Sequence, residues 1–185
     1  VSGPEIILGR KSGAAALDAR LKTLSKLVAY VGVPASSSRS RKTQLLSMAT
    51  AAKGTKKRKR LEKAAESDLN NAETLFLLSK GSPLRNQPPR PVLEPAIQAE
   101  GNRQGIAAEL AQSVKANLAG DKAASMKSMQ RAALAGQNAA RKWFTDPRNN
   151  WAPNAPSTIA RKGSDRPGID TGATRAAIVG IVGEE

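Results

Sequence analysis

The sequence contains no cysteine and no histidine, and only two tryptophans, two phenylalanines and one tyrosine among its 185 residues. Without cysteine there is no disulfide and no thiolate nucleophile, which fits assembly in a reducing compartment. Without histidine the commonest general base and metal ligand are missing, and zinc sites built on histidine or cysteine are excluded. An oxygen-only site for magnesium or calcium remains open, but no acidic run has the spacing for one. Aromatic side chains bury the most apolar area per residue, so a core of mostly alanine, leucine, isoleucine and valine is thin. Such a chain either draws part of its stability from neighbours or folds around a small, ordinary helical core.

Acidic residues are also scarce: 15 against 30 lysines and arginines, a formal charge of +15. That excess points to a polyanionic partner, whether nucleic acid, an acidic protein surface or anionic lipid. No apolar stretch approaches the roughly 18–20 residues of a membrane span. The opening VSGPEIILGRKSG carries an acid and too short an apolar run for a signal peptide. Val1 reads as the residue left after removal of an initiator methionine, and the expected place of synthesis is the cytoplasm.

Residues 1–12 read as an N-terminal arm around Ile6-Ile7-Leu8, and 13–185 as a single domain with a basic insertion at about 35–66. Leu17, Leu21, Leu24 and Val28 recur at helical spacing over 13–28. The β-branched run Val28–Val33, stopped by Pro34, predicts a strand. Ser36–Lys42 and Lys56–Arg60 are polar and like-charged, so 35–66 is expected as a long excursion with one short helix near Leu45–Ala52. Ser67 or Asp68 is the expected cap of a helix through Leu78, with Leu69, Ala72, Leu75, Phe76 and Leu78 on its apolar faces. PLRNQPPRP over 83–91 cannot be regular helix or central strand.

Pro95 suits a first helical turn, and the spacing of Ile97, Ile106, Leu110 and Val114 predicts one helix to about Leu118. Gly120-Asp121 breaks it and caps a second long helix to about Phe144, with Met126, Met129, Ala133, Ala140 and Trp143 as core candidates. Residues 145–170 form a long irregular loop with Trp151 as its anchor. The run Ile178–Val182 is expected to pair with the strand near residue 30. The whole predicts an α+β domain, a small antiparallel sheet packed with a long antiparallel helix pair, plus extended loops and arms.

The sharpest catalytic lead is Asp170-Thr-Gly-Ala173, which resembles the signature of retroviral-type aspartic proteases, where two such aspartates from two subunits share a proton and activate water. Only thirteen residues follow Gly172, too few for the flap and strands that come after the aspartate in that family. Ile7-Leu8-Gly9-Arg10, similar to that family's glycine-arginine element, lies on the wrong side. The expected role is a turn, with Asp170 bonding backbone two residues on and Gly172 at positive φ. No catalytic residue, metal or cofactor is expected, and no phosphate-cradling glycine loop is present.

Three segments carry a different resemblance: Asn71–Phe76 leading to Gly81-Ser-Pro-Leu-Arg85; Pro88-Pro-Arg-Pro-Val-Leu-Glu-Pro-Ala-Ile97; and Pro153–Ser164 with Arg166-Pro-Gly-Ile-Asp-Thr-Gly172 and Arg175. In this order they resemble the neck, collar and minor-tail (virion morphogenesis) proteins of tailed bacteriophages, over roughly 68–180 plus the helix and strand at 13–34. Thr174 and Gly168 stand where that family carries apolar residues. The resemblance implies a non-enzymatic structural protein of the virion, assembled in the host cytoplasm. It implies a homo-oligomeric ring between the portal or head–tail adaptor and the tail terminator or tail tube, with genomic double-stranded DNA passing through the channel and no membrane partner. Ring subunits meet by heterologous contacts that close by rotation, and the expected intersubunit residues are Pro88, Arg90, Pro91, Trp151, Pro153 and Pro156.

The contacts expected for DNA or an acidic partner are Arg39, Arg41, Lys42, Lys56, Lys57, Arg58, Lys59 and Arg60. No aromatic interleaves with them, so single-strand base stacking is not expected, and any DNA contact should be sequence-independent and salt-sensitive. The competing class is a stand-alone, sequence-independent nucleic-acid-binding protein.

Overall fold

The structure, a computed structural model, describes residues 10–34, 40–66 and 69–184. Nine α-helices and two strands are found among them: α1 (Arg10–Ser25), β1 (Leu27–Gly32), α2 (Ser40–Thr50), α3 (Thr55–Ala65), α4 (Asn71–Lys80), α5 (Leu93–Gln98), α6 (Glu100–Ala119), α7 (Lys122–Trp143), α8 (Pro156–Lys162), α9 (Ala173–Ala177) and β2 (Val179–Glu184). The fold is the expected α+β class. β1 and β2 pair antiparallel from Leu27 opposite Glu184 to Gly32 opposite Val179. No helix among the described residues is long and apolar enough to cross a membrane. The arm expected at residues 1–12 lies almost wholly outside the described residues, which begin with α1.

The α6–α7 hairpin turns where the sequence places it. Gly120 takes the left-handed conformation at φ +90°, and the Asp121 carboxylate accepts from the Ala124 N–H at 2.9 Å to cap α7. α7 is the spine of the domain, and it buries small residues: Ala132, Ala133, Gly136, Ala139 and Ala140, with Met129 and Trp143 at either end. Small residues let backbone approach backbone. A Cβ added at Gly180 of β2 would lie 2.1 Å from the Ala133 carbonyl oxygen, and one at Gly136 would lie 2.7 Å from Val31 Cγ2. The sheet therefore rests directly on α7. Arg141 ties it there by donating from Nε to the Ile178 carbonyl (2.8 Å) and from Nη2 to the Ala176 carbonyl (2.7 Å). Leu75, Leu78, Val92, Ala96, Ala140, Trp143, Phe144 and Ile178 complete the main core.

Several expectations are corrected. The 35–66 segment is not an excursion with one helix: α2 and α3 form a hairpin with its own core of Leu45, Ala49, Leu61 and Ala65, closed by Ala173 of α9. Those residues sit at i, i+4 spacing on one face of each helix, while Lys56, Lys57, Arg58 and Lys59 of the charge run remain exposed. α4 is capped by Asn70 rather than by Ser67 or Asp68, which lie outside the described residues. Asn70 Oδ1 accepts from the Glu73 N–H and Glu73 accepts from the Asn70 N–H, both at 2.9 Å, a complete capping box. The single helix from Pro95 to Leu118 is broken at Ala99, whose ψ of 128° separates α5 from α6. The buried face of α6 carries Ser113 and Asn117 rather than Val114, and Ser113 Oγ donates to the Ser125 carbonyl across the seam at 2.9 Å. The α1 stripe is largely uncovered, with Leu17 44% and Leu21 47% exposed, and Val28 belongs to β1. The 145–170 loop contains a 3-10 turn at Pro147–Asn149 and the helix α8.

Candidate functional site

Two loops build a cleft of about 940 Å³ beside the main core. The first leaves α4 at Gly81, whose φ of +74° and close approach admit no side chain: an added Cβ would meet the Gln87 carbonyl oxygen at 2.7 Å. Paired Ser82 and Gln87 close a tight turn that carries Leu84, fully exposed, at its tip. The chain then returns along α4, with the Arg90 N–H donating to the Leu78 carbonyl at 2.8 Å. The prolines on both sides of Arg90 hold this return extended.

The second loop follows α7. Asp146 accepts from the Arg148 N–H (3.0 Å) and takes a two-point ion pair from the Arg148 guanidinium (2.9 and 2.7 Å), which lies over the Trp143 ring. These hydrogen bonds, foremost those of the guanidinium, hold the Asp146 carboxyl at about 2. Asn149 donates to the Trp143 carbonyl and accepts from the Trp151 N–H. Trp151 stacks edge-on against Phe144 at 5.7 Å and against Gly168, where a Cβ would come within 2.9 Å of the indole. Trp151 thus anchors the loop against its own chain. Asn154 donates to the Asp165 carbonyl at 2.9 Å, which folds 165–170 back over α8.

Arg90 joins the two loops. Its Nη2 donates to the carbonyls of Ala152 (2.9 Å) and Pro153 (3.3 Å), and the residue is 7% exposed. Its Nε is buried with no hydrogen-bond partner, and no carboxylate pairs with it among the described residues. Burial lowers its pKa. Arg161 and Lys162 stand on the opposite wall. Lys162 donates to the Arg166 carbonyl at 2.8 Å, and burial lowers its pKa, with Arg90, Arg60 and Arg161 adding to the effect and Asp170 opposing it.

The basic residues singled out in the sequence divide into two groups. Lys42, Lys56, Lys57, Arg58 and Lys59 face solvent, and Arg58 pairs with Glu62 one turn on, at 2.8 Å. Arg60 instead turns inward to the Lys162 carbonyl (2.5 Å), the Asp170 carbonyl (2.7 Å) and the Asp170 carboxylate (2.6 Å). Arg41 donates to the Leu69 carbonyl, and burial lowers its pKa while Asp170 raises it. Arg39 lies outside the described residues. Gly172 has the expected positive φ, +84°, but in the short-range bond there the Ala173 N–H donates to Thr171 Oγ1 at 3.3 Å, while the Asp170 carboxylate is drawn to Arg60.

Of the expected contact residues, Pro88, Arg90, Pro153 and Pro156 line the cleft, whereas Trp151 packs behind it and Pro91 is exposed outside its lining. Sequence reasoning missed Arg161 and Lys162. Their signal is a basic pair in the last turn of a helix opened by Pro156. No group of three or more metal-ligating side chains occurs among the described residues. No family model, curated protein or solved structure matches the chain.

Proposed function

We propose that this chain is a structural, non-enzymatic subunit of a tailed-bacteriophage particle. In this reading copies of it close into a ring at the head–tail junction, between portal or adaptor and tail, around the DNA channel. One observation supports it above others. Of the segments that carry the resemblance to neck and minor-tail proteins, the second and third are well separated in sequence yet line one cleft: Pro88 and Arg90 from the second, Pro153, Pro156 and Ile169 from the third, with Leu78, between the two parts of the first, beside them. A surface assembled from two such segments is an assembly surface in this reading, and an alanine-rich core suits a subunit completed by its neighbours.

Electron microscopy and sedimentation of the purified chain test it. Rings of six or twelve subunits are expected, and labelling of the virion should place them at the head–tail junction. A monomer at all concentrations that only coats DNA overturns the ring and leaves the second reading, a sequence-independent nucleic-acid-binding protein. That alternative is favoured by the solvent-facing lysines of α3.

A further inference from the structure

Resting on the assembly reading above, we propose that the cleft between residues 88–90 and 153–170 is a docking site for an extended acidic segment of a different polypeptide, whose carboxylate enters the field of Arg90, Arg161 and Lys162. The cleft carries a charge that the described residues leave uncompensated. Arg90 is 7% exposed and, among the described residues, has only carbonyl partners and none at Nε. A buried cation is costly unless an anion compensates it. Lys162 and Arg161 add to the same field, and Asp170, the carboxylate that lines the cleft, is already engaged by Arg60 at 2.6 Å.

The form of the ligand follows from the walls. Leu78, Pro88, Pro153, Pro156 and Ile169 give the cleft apolar and rigid sides, which suit an extended peptide and need no reordering on binding. Duplex DNA presents its phosphates on a convex rod and does not reach a guanidinium recessed in such a cleft, whereas a carboxylate on a flexible side-chain stem does. A second copy is a poor source of the segment. The chain's 15 acids are scattered among 30 bases, and the only adjacent acidic pair is Glu184-Glu185.

The test uses the full chain and a fluorescein-labelled proline- and glycine-spaced peptide with three glutamates, read by anisotropy at physiological salt. Expected is saturable binding that falls at least about tenfold when the glutamates become glutamines. Binding should fall at least about fivefold in the Arg161→Gln/Lys162→Gln variant, and change less than about twofold in Lys56→Gln/Lys57→Gln/Lys59→Gln. Both variants alter exposed or half-buried side chains, and circular dichroism checks that they fold. If the double variant fails to fold, Ser157→Trp, which fills the mouth of the cleft at an exposed position, replaces it and should give the same loss. Loss in the α3 variant with retention in the cleft variant overturns the proposal in favour of general charge attraction. Displacement of the peptide from the α3 variant by a duplex oligonucleotide overturns it in favour of phosphate, and displacement by a peptide of this chain's residues 179–185 overturns it in favour of a second copy. Rings that form while the peptide does not bind sink the docking site alone; binding without rings sinks the assembly reading alone.

Discussion

Two basic regions of this chain use the same residue types to different ends. On α3, Lys56, Lys57, Arg58 and Lys59 follow one another and all face water. Around the cleft, Arg60 and Arg90 donate to backbone carbonyls of distant segments, and Lys162 donates to the Arg166 carbonyl four residues on. A run of cations cannot all turn inward, because each would need its own acceptors and its neighbours would repel it. An isolated arginine at the point where two loops meet finds several carbonyls within reach of one planar fork. The charge run is therefore the more conspicuous feature of the sequence, while the arginines that turn inward, Arg90 alone between prolines and Arg60 at the end of the run, hold segments together.

The sharpest way to break this comparison is Arg90→Ala. It removes the donor that holds 88–91 against 152–153 and strands carbonyls in a partly buried loop junction. Hydrogen bonds to a charged donor contribute about 1.5–3 kcal/mol, so a loss of about 2–4 kcal/mol in urea-induced unfolding is expected. A loss below about 0.5 kcal/mol would show that Arg90 is no more structural than the α3 lysines. Arg60→Gln comes next. Its ion pair with the half-exposed Asp170 is worth little by itself, but the two carbonyl bonds bring the expected loss to about 1–2 kcal/mol. Asp170→Asn should cost less than Arg60→Gln, since it leaves those carbonyl bonds in place.

Arg148 supplies what Arg90 lacks, a carboxylate partner, and this has a pH signature. The Asp146 carboxyl is held at about 2 in the folded chain against 3.8 ordinarily. A depressed carboxyl stabilises the fold above its unfolded value and loses that contribution as pH falls from about 3.8 toward 2. Acid unfolding should therefore include a component in that window that Asp146→Asn removes. At neutral pH the same variant should cost roughly 1 kcal/mol through the weakened turn at Pro147–Asn149. An unchanged acid limb in Asp146→Asn would show that the ion pair is not formed in solution.

How much of this is legible in the sequence depends on whether the signal is local. Gly120-Asp121 announces its turn because left-handed φ and capping are properties of two adjacent residues. The β1–β2 pairing is legible because only two β-branched runs compete. The Asn70-x-x-Glu73 box is equally local, but Ser67 and Asp68 just before it are equally good caps and mask it. The α2–α3 hairpin is hidden because its core is four small or medium residues, Leu45, Ala49, Leu61 and Ala65, beside a run of charge that outweighs them in any composition count. The cleft is half legible: its prolines stand out. The partners of Arg90 are backbone carbonyls some sixty residues away, and a carbonyl carries no side-chain identity to read.

The smallest expected effect on stability is also the cleanest separation of the two regions. Lys56→Gln/Lys57→Gln/Lys59→Gln removes three exposed cations that form no ion pair among the described residues. Unfolding free energy should stay within about 0.5 kcal/mol of the parent, with either sign allowed, since like charges along a helix repel. If α3 does meet duplex DNA, affinity should fall uniformly across sequences. The slope of log affinity against log salt should then shrink by up to about 2.7, the share of three phosphates that these lysines would neutralise. A stable variant with an unchanged salt slope would assign those lysines to solvation alone. A destabilised one would mean that the α3 face is covered in the folded chain, and the contrast with the cleft would collapse.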